Sequence, residues 1–372
     1  MYSDYLSPVD RLKNLNLSVI GIITLLSCIG FIMLYSAGGG SLFPWALPQI
    51  VRFIVGFALM LFIACTDLNW WFRNAYTIYG ISLLLLIAVE AAGFVGMGAQ
   101  RWLDLYLFKL QPSEILKVSL VLVLAAHFHR HSHEDMYKPS QLIFPACLIV
   151  FPALLILKQP DLGTTLLIMM IGLTIFFVAG IHMYYFVGLG ILTLSSIPLI
   201  WAFVLKGYQK NRVLTFLNPE KDPHGTGYHI LQSKIAIGSG GLFGKGYFHG
   251  TQGYLNFLPE KQTDFIFTLF SEEFGLLGSL LILLLYALLL IQCYKIILKN
   301  RSKFGQFIST GIMISIFIYV AINISMVMGL VPVVGVPLPM ISYGGASMMT
   351  LMVGFGLLLN TDVNYKAKIS KY

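Results

Sequence analysis

Three groups of ionisable residues stand where apolar sequence meets polar turns, and their types suit charge-driven chemistry on a polar substrate. Glu114 and Lys117, in Gln111-Pro112-Ser113-Glu114, are three apart at the start of an apolar run, a spacing that lets them pair on a helix. Lys158 and Asp161, in Lys158-Gln159-Pro160-Asp161-Leu162-Gly163-Thr164, repeat that spacing. Asp264 forms the third group with Glu272 and Glu273, in Thr263-Asp264-Phe265 and Ser271-Glu272-Glu273-Phe274-Gly275. A carboxylate at the mouth of a cavity can take a proton, and cations beside it can hold an anionic leaving group. Simpler roles compete: Ser113 and Asp161 suit helix N-caps, and Asp264 suits the positive end of a helix dipole. Capping does not explain Glu272 and Glu273, which the apolar pattern places more than two turns inside a helix. Three such clusters on one side of the chain's apolar segments favour function.

Other motifs carry less. The run Gly238-Ser239-Gly240-Gly241-Leu242-Phe243-Gly244-Lys245-Gly246 misses phosphate-loop spacing, since Ser239 replaces the first Gly and Gly246 replaces Ser or Thr. It predicts a tight backbone turn and no nucleotide site. His127, His129, His131 and His133 alternate without a carboxylate or cysteine ligand set, and predict a solvated loop without a metal. Between Gly329 and Pro339, three prolines and two glycines forbid a regular helix. Irregular backbone at membrane depth must be buried in protein or line a wet cavity.

The elements that position these residues are membrane helices. The chain is 57% hydrophobic and only 11% charged over 372 residues, too little polar surface for a domain in water, where charged residues make up about 25%. Apolar stretches near 15–36, 48–65, 74–94, 113–128, 141–157, 162–181, 184–205, 264–293, 307–328 and 344–360 predict an all-α, polytopic protein with about ten spans. Residues 1–372 form a single membrane domain on this reading. Cys28, Cys65, Cys147 and Cys293 fall inside apolar runs as packing residues. The net charge of +8 gathers next to the spans and suits anionic lipid headgroups, not nucleic acid.

Most loop cations are on the side of the termini, including Lys295, Lys299, Arg301 and Lys303, which predicts cytoplasmic N- and C-termini. A long extracytoplasmic loop, 206–263, then joins the seventh and eighth spans. It is too apolar for a disordered linker and carries a helical stretch around Ile230 to Ile237.

These motifs, together with Gly98-Ala99-Gln100-Arg101-Trp102, His249-Gly250-Thr251-Gln252, Leu258-Pro259-Glu260-Lys261-Gln262-Thr263-Asp264-Phe265 and Ser342-Tyr343-Gly344-Gly345, resemble the SEDS family (shape, elongation, division and sporulation), above all its elongation branch. The resemblance covers nearly the whole chain. It implies a bacterial cytoplasmic-membrane peptidoglycan glycosyltransferase that polymerises lipid II and works with a class B penicillin-binding transpeptidase. Asp264 matches the family's essential aspartate and is expected to be the general base of an inverting displacement. Arg101, Lys117, Lys158, Arg212 and Lys234 are the expected cations for the pyrophosphate, with Glu114, Asp161, Glu273 and Ser342 in support. A divalent ion such as Mg2+ or Mn2+ could share that charge, although no ligand set stands out. Two rival classes use the same residues: a lipid II flippase, which predicts functional charges on both membrane faces, and a scaffold that only recruits the transpeptidase.

Overall fold

The computed structural model describes residues 8–96, 99–104, 109–131, 138–204, 207–219, 225–255, 257–258, 260–367 and 369. Gly98, His133 and Pro259, named above, lie outside the described residues, as do positions 206, 220–224 and 256 of the long loop. After a short α1 (Pro8–Lys13) come α2 (Leu17–Ala37), α3 (Ala46–Ala64), α4 (Leu68–Ala92), α5 (Pro112–Arg130), α6 (Pro139–Lys158), α7 (Leu162–Val178) and α8 (Met183–Leu199). Helices α9 (Gly207–Leu217), α10 (Thr226–Ser239) and α11 (Thr251–Tyr254) follow, then α12 (Ile266–Lys299), α13 (Lys303–Val327) and α14 (Gly345–Val363). Among the described residues nine helices are long and apolar enough to span a membrane. The tenth predicted span, α7, has 17 residues, at the short end of the spanning range of roughly 17–25.

Polarity decides which helices lie inside. Helix α5 is the least apolar of the nine, yet 89% of its most apolar stretch is buried, because α4, α7 and α13 surround it. Its Ser113, Glu114, Lys117 and Ser119 are therefore shielded from lipid by protein. Helix α8 is the opposite case: its window is 0% buried, so Leu192, Leu194 and Ile197 face outward as lipid would require. Between α4 and α5 the chain forms a small antiparallel sheet, β1 (Phe94–Gly96), β2 (Ala99–Asp104) and β3 (Lys109–Leu110), which carries Arg101.

His127 and His129 do not lie in a solvated loop. Helix α5 runs on to Arg130, so His127 and His129 are buried, His127 against the Tyr76 hydroxyl at 3.3 Å and His129 against the Ile369 carbonyl at 3.2 Å. Tertiary burial thus overrides the alternating pattern. No group of three metal-binding side chains occurs among the described residues.

The glycine run is the tight turn its spacing predicts. Gly241, Gly244 and Gly246 have φ of +56°, +82° and +98°, and the turn docks on α12 where that helix breaks at Gly275 (φ +65°). Lys245 and Gly246 donate backbone hydrogen bonds of 3.0 Å to the carbonyls of Glu272 and Glu273, and Leu276 donates to Gly241 at 2.9 Å. A β-carbon on Gly244 would lie 2.1 Å from the Glu273 carbonyl oxygen, so only glycine allows this approach.

From Val336 onward the proline-rich segment packs into protein, as irregular backbone at that depth demands. Val336, Leu338 and Ile341 are buried, and the Tyr286 hydroxyl donates to the Pro339 carbonyl. Gly30 of α2 lets this segment approach, since a β-carbon there would sit 2.8 Å from Ile341.

Candidate active site

Asp264 occupies the turn entering α12, bent by Glu260 in a left-handed conformation (φ +49°). The turn is closed by hydrogen bonds to the Glu260 carbonyl from the N–H of Thr263 at 3.0 Å and of Phe265 at 3.4 Å. Neighbouring elements grip its backbone. Ser342 Oγ donates to the Thr263 carbonyl at 2.6 Å, and Tyr343 N donates to the Gln262 carbonyl at 2.8 Å. Asn323, fully buried on α13, donates to the Asp264 carbonyl at 3.0 Å and to Val336 at 2.7 Å. Ser342 is thus buried and spent on positioning.

The side chain of Asp264 is left available. The N-cap of α12 is Phe265, with no side-chain capping bond, and no described residue donates a hydrogen bond to the Asp264 carboxylate. Beneath it lies Gly335, whose β-carbon, were there one, would approach Oδ2 to 3.5 Å. Burial pushes the Asp264 carboxyl up to about 6 from its ordinary 3.8; the neighbouring Glu260 charge raises it further, and Arg212 opposes both. Arg212 is exposed on α9 and also donates to the Val333 carbonyl at 3.2 Å. Asp264 directly precedes the N-cap of α12, at the positive end of that helix as its dipole reading anticipates, and its carboxylate makes no capping bond there.

Glu114 and Lys117 pair as their spacing predicts, at 2.7 Å, with side-chain exposures of only 9% and 5%. Lys117 also meets the Tyr319 hydroxyl of α13. Tyr319 lies one helical turn from Asn323, on the same face of α13, so the buried ion pair underlies the residue that holds Asp264.

Lys158 and Asp161 do not pair. Helix α6 ends at Lys158 and the chain turns through Gln159 and Pro160, so three residues no longer span one helical turn. Lys158 binds Glu90 of α4 instead. Asp161 caps α7, accepting from Thr164 N at 3.0 Å and Thr164 Oγ1 at 2.9 Å, as the N-cap reading anticipates. Its cationic neighbour is Arg101 at 3.9 Å, which also donates to the Gln159 carbonyl at 3.1 Å. Lys234, on α10, is exposed and lies over Gly329 at the start of the proline-rich segment.

The two adjacent glutamates of α12 diverge. Glu272 is fully buried and accepts from Lys245 at 2.7 Å, Thr251 Oγ1 at 3.0 Å and Gln252 N at 3.1 Å, which ties the loop to the helix. Glu273 lines a separate cavity. Asn323, Tyr319 and Glu260 went unnoticed as site residues, although an asparagine inside the apolar run of α13 is a signal of its own.

The family model for FtsW, RodA and SpoVE, described as cell cycle protein, matches residues 16–367. The chain belongs to this family. It is 45% identical over 290 residues to the peptidoglycan glycosyltransferase MrdB of Escherichia coli K12, covering 78% of each chain. It is 37% identical over 357 residues to the stage V sporulation protein E of Bacillus subtilis, covering 93% of this chain and 96% of that one. Its fold matches a chain of a peptidoglycan synthase complex that coordinates polymerization and crosslinking, with TM-score 0.83, 28% identity and coverage of 95% and 99%. It also matches the rod shape determining protein RodA of Thermus thermophilus, with TM-score 0.71, 26% identity and coverage of 95% and 98%. This FtsW, RodA and SpoVE family member thus shares its helical membrane architecture with solved relatives along nearly its whole length.

Proposed function

We propose that the chain is a peptidoglycan glycosyltransferase that polymerises lipid II at the outer face of a bacterial cytoplasmic membrane, with Asp264 as general base. The activity class follows from the MrdB relatives, and a transpeptidase partner follows from the synthase complex that shares the fold. The observation that carries the role of Asp264 is its carboxylate: set on a turn whose backbone Asn323 and Ser342 hold, making no capping bond, and raised in basicity by burial.

In the reaction an acceptor sugar's 4-oxygen bonds to the donor's anomeric carbon as the bond from that carbon to the lipid pyrophosphate breaks. The hydroxyl proton goes to Asp264, and the pyrophosphate leaves with its electron pair. A single displacement inverts the anomeric carbon. Arg212 and Lys234 are the exposed cations flanking the proline-rich segment, and they suit the leaving pyrophosphate through charge-assisted hydrogen bonds. Lys117, Arg101 and Lys158 are committed to Glu114, Asp161 and Glu90, and serve to position helices. A flippase would need a charged path through the bundle, whereas the buried charges of α5 are locked in one ion pair.

The acid dependence tests the base. A base works deprotonated, so lowering the pH through its pKa removes activity. With that pKa near 6, kcat/KM falls about tenfold per unit below pH 6. An unperturbed carboxylate would keep full rate down to about pH 4. A profile flat from pH 7 to 5 removes Asp264 from this role.

The orientation is part of the same reading: both termini cytoplasmic, residues 206–263 outside as one loop of a single membrane domain. Phe243, 79% exposed on that loop, offers a site for labelling. In intact cells a Phe243→Cys protein reacts with an impermeant thiol reagent added outside; reaction only after the membrane is breached inverts the topology.

A further inference from the structure

Lys261 of the 260–265 turn also lines a cavity of about 300 Å³ whose walls do not include Asp264. Its walls come from the end of α2 at Ser36–Gly39, from Trp45, from Gly250 and Lys261 of the long loop, and from Glu273 of α12. Glu273 is 2% exposed. Oε1 of the carboxylate accepts from Ser36 and the Phe248 N–H faces the carboxyl group, while Oε2 is buried with no hydrogen bond of good geometry among the described residues. A buried carboxylate oxygen left unpaired costs stability, which a ligand's donor can recover. Lys261, which lines the same cavity, donates to the Gly253 carbonyl at 2.8 Å.

Resting on the polymerase reading, we propose that this cavity is a saccharide subsite that holds one sugar ring of the glycan strand next to the Asp264 turn. Three properties select the ligand class. The volume is at the small end of ligand pockets, room for one ring and not for a lipid tail of many carbons. The wall pairs an acceptor, Glu273, with a donor, Lys261, matching hydroxyl and acetamide groups, which both donate and accept. A phosphate brings only acceptors and is repelled by Glu273. Trp45 adds a broad apolar surface of the kind that covers a sugar's C–H face. Lys261 and Asp264 share one turn, so a strand seated here reaches the reacting centre through its next ring.

The test is binding of a fluorescent N-acetylglucosamine tetramer, which lacks lipid and pyrophosphate, to the purified full-length protein, read by anisotropy. Glu273→Gln, Trp45→Ala and Lys261→Met each weaken binding at least tenfold, while Asp264→Asn leaves it within twofold. Thermal unfolding of each variant checks its fold, and Lys261→Met removes no buried packing, so it stands as the control if Trp45→Ala unfolds. Absence of wild-type binding, or binding lost with Asp264→Asn and kept by the cavity variants, overturns the subsite. Polymerisation of lipid II is measured on the same samples. Wild-type polymerisation with cavity-independent tetramer binding sinks the subsite alone; cavity-dependent binding without any polymerisation sinks the enzyme reading.

Discussion

Replacing Lys117 by methionine is expected to destabilise the protein by about 3–5 kcal/mol, the usual cost of stranding one partner of a buried ion pair. Glu114 and Lys117 expose 9% and 5% of their side chains, so water does not screen the orphaned carboxylate. Tyr319 of α13 donates a long 3.5 Å hydrogen bond to Glu114 but, being neutral, cannot replace the lost charge. The double variant Glu114→Gln, Lys117→Met removes both charges and should recover most of the loss. Because Tyr319 lies one turn from Asn323, polymerisation should fall with Lys117→Met and return in the double variant. Thermal unfolding and activity of the single and double variants together form a double-mutant cycle. A double variant no better than Lys117→Met in both measurements shows that Lys117 acts by itself, in contact with substrate.

The helical architecture was legible because lipid imposes length and apolarity on every span, and those are one-dimensional properties. The tight turn at Gly238–Gly246 and the burial of the proline-rich segment were legible for a related reason: glycine and proline restrict backbone locally. The pairing of Glu114 with Lys117 was readable because both lie inside one helix. Lys158 and Asp161 share the same separation but straddle a helix end, where spacing no longer reports proximity, and their true partners, Glu90 and Arg101, are far away in sequence. The sheet at 94–110 and helix α9 escaped notice because neither has the length or periodicity of a span. His127 and His129 were misjudged for want of a neighbour, since only tertiary contact reveals that α4 and the C-terminal segment cover them. Asn323 and Ser342 hold the carbonyls of Asp264 and Thr263 from 59 and 79 residues away, a relation no local pattern encodes.

Asp264→Asn separates the base from every structural role. Asparagine keeps the size and one oxygen of the side chain but cannot take a proton. The structure gives it no cap to lose, since α12 has no side-chain capping bond. The contacts that hold the turn run through the backbone carbonyls of Thr263 and Asp264, which the substitution leaves in place. The decisive measurement is the rate at which purified protein, with its transpeptidase partner, makes glycan strands from lipid II. Loss of a general base predicts a rate about 10²- to 10⁴-fold below wild type, with thermal unfolding and partner binding unchanged. An Asp264→Asn protein that polymerises within a few-fold of wild type contradicts the account and returns the site to a transport or scaffolding role.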